Sequence, residues 1–247
     1  MLVRARTSTK SRCAVLFACA APLQARAENW HNWLASIAQY RSDIVYQSIA
    51  QMTMVAIAGS LAIVVAVPLG IYLSRESGKQ ARVAQALMQT LNMGQAVPKL
   101  ALLALAMSVL GIGRWPSIFA LWVATLLPIV LNTLEGLRAV PRALIEAATG
   151  MGMTPAQVLW QVELPNALYV IFAGIRTALA ITVGTAPLAF LVGGGGLGEL
   201  IFTGIDMNDF SMLLAGAIPT AVLAVLTDVL VGQMQVHLVS RGVASQR

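Results

Sequence analysis

The chain is 247 residues long, 58% hydrophobic and 11% charged, with a formal charge of +6. A soluble domain carries roughly 25% charged residues, so the composition excludes an ordinary soluble globule and points to the bilayer as solvent. A span needs about 20 apolar residues to cross about 30 Å of hydrocarbon, so the length suffices for about five or six spans and leaves no room for a second, soluble domain.

Residues 1–27 combine a basic start (Arg4, Arg6, Lys10, Arg12), a short apolar stretch and Ala25-Arg26-Ala27, the small-x-small form of a signal-peptidase site. They read as a signal-peptide-like segment or an N-terminal anchor, and both versions leave Glu28 outside. Cys13 and Cys19 lie within that stretch and define neither a disulfide framework nor a metal site. Residues 28–43, with Trp30, Trp33 and Tyr40, suit an external interfacial lead-in. His31 and His237 stand far apart in the chain with no partner cluster, which argues against catalysis or metal binding.

The transmembrane domain is expected over 44–240, followed by a cytoplasmic tail at 241–247. Ile44–Leu73 is the first long apolar run, and Arg75, Lys79 and Arg82 behind it set its direction from outside to inside. Val83–Ile112 contains Asn92, Gly94, Pro98 and Lys99 in its first half, which predicts a broken or bent span. Trp115–Leu134, Asn166–Val192 and Ser211–Val239 complete a five-span core. Gly193–Phe210 reads as a glycine-rich external loop, since it holds Glu199, Asp206 and Asp209 and no Lys or Arg. The basic clusters all fall on the cytoplasmic side of this topology, and none is interleaved with aromatics, so they mark membrane flanks rather than a nucleic-acid surface.

The interruption at 135–165 is the longest, and Arg138 and Arg142 place it inside. Pro141 suits a helix start, and the residues from Ala143 to Ala148 are mostly strong helix formers. Gly150 and Gly152 supply a stop, and Thr154-Pro155 reads as an N-cap opening a second helix that Leu164-Pro165 ends. Within this helix, elbow and helix stand Glu146-Ala147-Ala148, Gly152, Val162, Leu164 and Pro165. Their spacing resembles the "EAA" signature of permease subunits in type I ATP-binding-cassette (ABC) importers, with Val162 where that pattern prefers isoleucine. Glu-Ala-Ala alone is merely good helix sequence; Gly152 and Leu164-Pro165 in register are what make it specific.

The likeness extends from about Ile44 to about Val239, through Leu100–Leu105, Leu110–Gly113, Leu131–Thr133, Gly136–Arg138, Gly150–Pro155, Ala173–Ala178 and Gly194–Glu199. These stretches resemble permeases of osmoprotectant importers, which carry glycine betaine, choline or related quaternary amines. Asn92–Lys99 departs from them, because that subfamily usually has a shorter stretch ending in Pro-Ser.

The resemblance implies an all-α membrane protein with the type I importer fold, working by alternating access and catalysing nothing itself. It implies cytoplasmic ABC ATPase subunits holding ATP and Mg, a second permease subunit, identical or homologous, and a periplasmic or lipid-anchored binding protein, all at a bacterial inner membrane. Glu146, Ala147, Ala148, Gly152, Val162, Leu164 and Pro165 would couple to the ATPase, with Glu146 offering a charge and the two alanines a close approach. The signature leaves open a permease for an amino acid or sulfonate. A membrane protein without ATPase partners would leave 146–165 without a purpose.

Three features pose separate questions. A charge within a span costs about 2.5 to 3.5 kcal/mol, so Lys99 lines a pathway or, more simply, sits by the inner interface and reaches lipid headgroups. Asp228 contacts a cation in the pathway or, as is more common, pairs with a polar residue on a neighbouring helix. Gly193–Gly198 formally contains G-x-G-x-x-G, but no strand precedes it, no Lys-Ser or Lys-Thr follows it, and its expected place is outside, away from ATP. Gly194, Gly195, Gly196 and Gly198 instead suit a sharp turn near an outer gate, packed closely on the partner permease.

Overall fold

The computed structural model describes residues 39–75, 86, 88–90 and 92–238, the last by its backbone alone. The signal-like segment at 1–27, most of the 28–43 lead-in, Lys79 and Arg82, and the tail at 241–247 lie outside the described residues.

All regular structure among the described residues is helical. Helix α1 is Arg41–Ser74, three residues longer at its start than the apolar run. A helical piece over Met88–Gln95 meets α2, Lys99–Leu110, at 101°, so the second expected span is bent at Ala96–Pro98. Pro98 sets the bend: its ring restricts Val97 to extended backbone and it stands as the N-cap of α2. Helix α3 is Arg114–Arg138 and α4 is Arg142–Gly150, so the expected 135–165 interruption begins one turn late, at Ala139.

The short α5, Pro155–Val158, passes through a π-turn at Leu159–Glu163 into α6, Leu164–Thr185. This corrects one expectation, because Leu164-Pro165 does not end the second helix. The wider π-turn carries the helix past Pro165, which has no N–H to donate to the turn before it. A 3₁₀ segment at Ala186–Val192 then leads to α7, Gly198–Asp206, and α8, Phe210–Leu238. The expected external loop therefore contains a nine-residue helix. The α7 end closes on Asn208 at φ 53°, with Asp209 N–H bonded to Gly204 O at 2.8 Å. The Asp209 carboxylate then accepts from the Ser211 and Met212 amides and starts α8.

Four helical stretches are long and apolar enough to cross a membrane, Arg41–Ser74, Arg114–Arg138, Pro155–Val192 and Phe210–His237, and the bent pair makes a fifth. Their main core joins α1 (Ala62, Ala66, Leu73), α3 (Ile129, Val130, Leu134) and α6 (Ala167, Ile171, Ala178). Apolar burial gives little drive between helices in lipid, so close approach through small residues has to hold them. Gly70 lies so near α3 that a Cβ would come within 2.6 Å of Thr133, and at Gly174 it would come within 2.3 Å of Asn132. Thr133 and Asn132 return their polar atoms to the helix, to Ile129 O and Pro128 O, both at 2.8 Å.

Candidate functional site: a docking elbow and two cavities

The signature residues are sorted by α4. Ile145 packs towards the core and Ala148 is buried, whereas Leu144, Glu146, Ala147 and Met151 face outward. Ala148 thus serves the chain's own packing, and only Ala147 of the pair is open to close approach from outside. No hydrogen bond or ion pair within the chain engages the Glu146 side chain among the described residues. After α4, Met153 N–H bonds Ala148 O at 3.2 Å and Gly152 N–H bonds Thr149 O at 3.0 Å, with Gly152 at φ 83°. That is a Schellman stop, and it requires the residue that can adopt a left-handed φ without a Cβ clash.

Thr154 then caps α5. Its hydroxyl accepts from Gln157 N–H at 3.4 Å, and its own N–H donates to Gln157 Oε1 at 2.8 Å, forming a capping box. Arg75, at the end of α1, ties the far side of the elbow to the bundle through Glu163 at 2.6 Å. Val162, Leu164 and Pro165 are half-buried at the root of α6. The pair of charges is partly exposed, so Glu163→Gln should lower stability by less than about 1 kcal/mol in a thermal melt.

At the opposite end of the bundle the glycine run folds back on its own chain. Gln47 Oε1 accepts from Gly196 N–H at 3.0 Å, and Gln51 Oε1 accepts from Leu197 N–H at 3.2 Å. Gln51 Nε2 donates to Val183 O at 3.2 Å, and Gln47 Nε2 bonds Glu199. Gly193, Gly195 and Gly196 all have positive φ. A Cβ at Gly194 would meet Ser117 Oγ at 2.3 Å, and one at Gly198 would meet Pro187 O at 1.9 Å. Gly194 and Gly198 are thus packed tightly against the chain's own elements. Gln47 and Gln51 went unnoticed in the sequence; two glutamines four apart in an apolar run, hence on one helix face, were the available signal. Gln51→Leu strands the Leu197 N–H and the Val183 O in a buried place. A loss of about 2 kcal/mol is expected, read as a lowered Tm in detergent.

Lys99 does not stand at a bundle end. It borders a cavity between α2, α3 and α6 whose walls include Ala124, Leu127 and Pro128 at the middle of α3, and its Nζ donates to Thr185 Oγ1 at 3.4 Å. At the 101° bend Lys99 faces this cavity. A second cavity, lined by Thr185, Pro187, Phe202 and Thr220, lies beside α7 and α8. Asp228 takes the other of its two readings. Arg176 of α6 grips it in a fork, with Nε to Oδ1 at 2.6 Å and Nη2 to Oδ2.

The family model described as "Binding-protein-dependent transport system inner membrane component" matches residues 66–241. The chain belongs to that family. It is the permease subunit of a type I ABC importer, a multi-pass inner-membrane transport component whose ATPase is a separate chain. The permease is 49% identical over 201 residues to the osmoprotectant import permease protein OsmY of Salmonella typhimurium (strain LT2), covering 81% of this chain and 84% of the relative. It is 45% identical over 175 residues to the carnitine transport permease protein OpuCD of Listeria monocytogenes, covering 70% and 77%. It is 40% identical over 186 residues to the choline transport system permease protein OpuBB of Bacillus subtilis (strain 168), covering 75% and 84%. Among solved structures, an inward-facing form of the MetNI methionine ABC transporter matches with a TM-score of 0.70 at 22% identity, over 80% of this chain and 97% of that one. This last likeness concerns the fold.

Proposed function

We propose that this permease imports an osmoprotectant of the quaternary-amine class, such as glycine betaine or choline, by alternating access. The observation that carries the mechanism is the elbow at Arg142–Val158. Its outer face presents Leu144, Glu146, Ala147 and Met151, while Ile145 and Leu159 pack against the core and the Arg75–Glu163 pair ties the elbow to the bundle. A rigid element bound on one side and open on the other transmits a push from a cytoplasmic ATPase without unfolding. The cargo class is supported by the names of relatives that are 35–49% identical.

The two ATPase subunits hold ATP and Mg. A second permease subunit, identical or homologous, completes the pathway, and a periplasmic or lipid-anchored binding protein delivers solute to the outer face. ATP and the loaded binding protein bias one two-state equilibrium between inward and outward access.

The test is uptake of labelled glycine betaine and choline by cells carrying the full importer, with copurification of the ATPase. Glu146→Ala and Gly152→Val are each expected to lower uptake about tenfold or more; the second forces a branched side chain into left-handed backbone at a cost of about 1 to 2 kcal/mol. Normal uptake and normal copurification in both variants would remove the coupling role from this loop.

A further inference from the structure

The cavity at the bend encloses about 180 Å³ and is walled by Gly94, Gln95, Leu127, Pro128 and Thr182 around Lys99. Its α3 wall lies about 15 Å from either end of that helix at 1.5 Å per residue, which is the middle of a span. No wall residue is acidic. The ion pairs among the described residues are Arg75–Glu163 and Arg176–Asp228, and neither involves Lys99. Its polar contact is the hydroxyl of Thr185, whose own proton goes to Ile181 O at 2.9 Å and leaves lone pairs for the ammonium. An ammonium at this depth is expensive to hold without a counter-charge, and among the described residues the protein provides one hydroxyl.

The surroundings add to the same polarity. Lys99 opens α2, and no side chain caps that helix, so its first-turn amides direct positive potential to the same place. Thr185 also walls the second cavity, of about 480 Å³, where Phe202 offers an aromatic face of the kind that attracts a quaternary ammonium.

We infer that Lys99 is a specificity-determining residue of the pathway, favouring zwitterionic solutes, whose carboxylate it meets, over purely cationic ones. The inference rests on the quaternary-amine reading above and sharpens it: glycine betaine and carnitine carry the required carboxylate, and choline does not.

The experiment measures initial uptake of labelled glycine betaine and of choline by the complete importer with its own binding protein and ATPase. The betaine-to-choline ratio of each variant is divided by that of the wild type, so that selection by the binding protein cancels. Lys99→Gln is expected to lower the ratio about tenfold or more, the worth of one charge-assisted hydrogen bond. Lys99→Arg keeps the charge and is expected to stay near the wild-type ratio. If Lys99→Gln fails to assemble, Thr185→Val, which removes the hydroxyl that presents the ammonium, must lower the same ratio. Uptake of both solutes with an unchanged ratio overturns the role of Lys99 and leaves the transport reading standing. A wild-type importer that moves none of glycine betaine, carnitine and choline overturns both.

Discussion

Gly198→Ala is expected to melt about 10 °C below the wild type in detergent, or to give no folded protein. The added methyl would stand 1.9 Å from Pro187 O, 2.7 Å from Pro187 C and 3.0 Å from Phe190 Cβ. Two of these neighbours are backbone atoms, so no rotamer change relieves the clash, and α7 has to move away from the 3₁₀ segment. That motion would pull on the Gly196 and Leu197 amides held by Gln47 and Gln51. Overpacking typically costs about 1 to 3 kcal/mol, and about 3 kcal/mol in a chain of this size shifts Tm by roughly 6 to 12 °C. Gly150→Ala is the matched control. It ends α4 with nothing within 4 Å of the added Cβ, so its Tm should be unchanged or slightly raised. Tryptophan fluorescence during heating reads both, and a Gly198→Ala protein that melts with the wild type would show that α7 can be repositioned freely.

The elements legible in the sequence are those whose signal is local. Apolar runs of sufficient length identified the spans, Pro98 marked the bend, and Gly152 and Thr154-Pro155 marked the elbow, because stop and cap chemistry act within a turn of the residue that carries them. Leu164-Pro165 was misread for the same local reason. Proline usually punctuates a helix, and only the π-turn before it shows that here it begins the next α-helical segment. Helix α7 was hidden because its glycine-rich approach and the acidic Glu199, Asp206 and Asp209 in and just behind it read as a loop.

What the sequence lacked was depth and partnership. Whether Lys99 meets headgroups or a cavity depends on a 101° angle between two helices, and Asp228 acquires Arg176 from a helix 52 residues earlier in the chain. The family signature names the coupling loop as a unit, yet only packing separates Ala147, which is exposed, from Ala148, which is buried.

Asp228→Asn is expected to lower the yield of folded protein. Arg176 cannot shed its proton, so the substitution leaves a guanidinium at membrane depth whose forked acceptor has become a neutral amide with one acceptor oxygen. Removing one partner of an ion pair leaves the other without its counter-charge. The two side chains retain 42% and 35% exposure in the isolated chain, and the effect is expected as a lower yield of folded protein. Gly232 fixes the geometry, since a Cβ there would come within 3.2 Å of the guanidinium. The double substitution Arg176→Met with Asp228→Leu separates stability from function. Exchanging a whole ion pair for apolar groups of similar volume is often neutral or stabilising, so the double variant should recover much of the yield that Asp228→Asn loses. If the recovered protein also transports normally, the pair is a packing device joining α6 to α8. If it folds but transport stays low, the pair takes part in the change of access. A double variant no more stable than Asp228→Asn would show that the cost lies in shape at this contact and not in the unpaired charge.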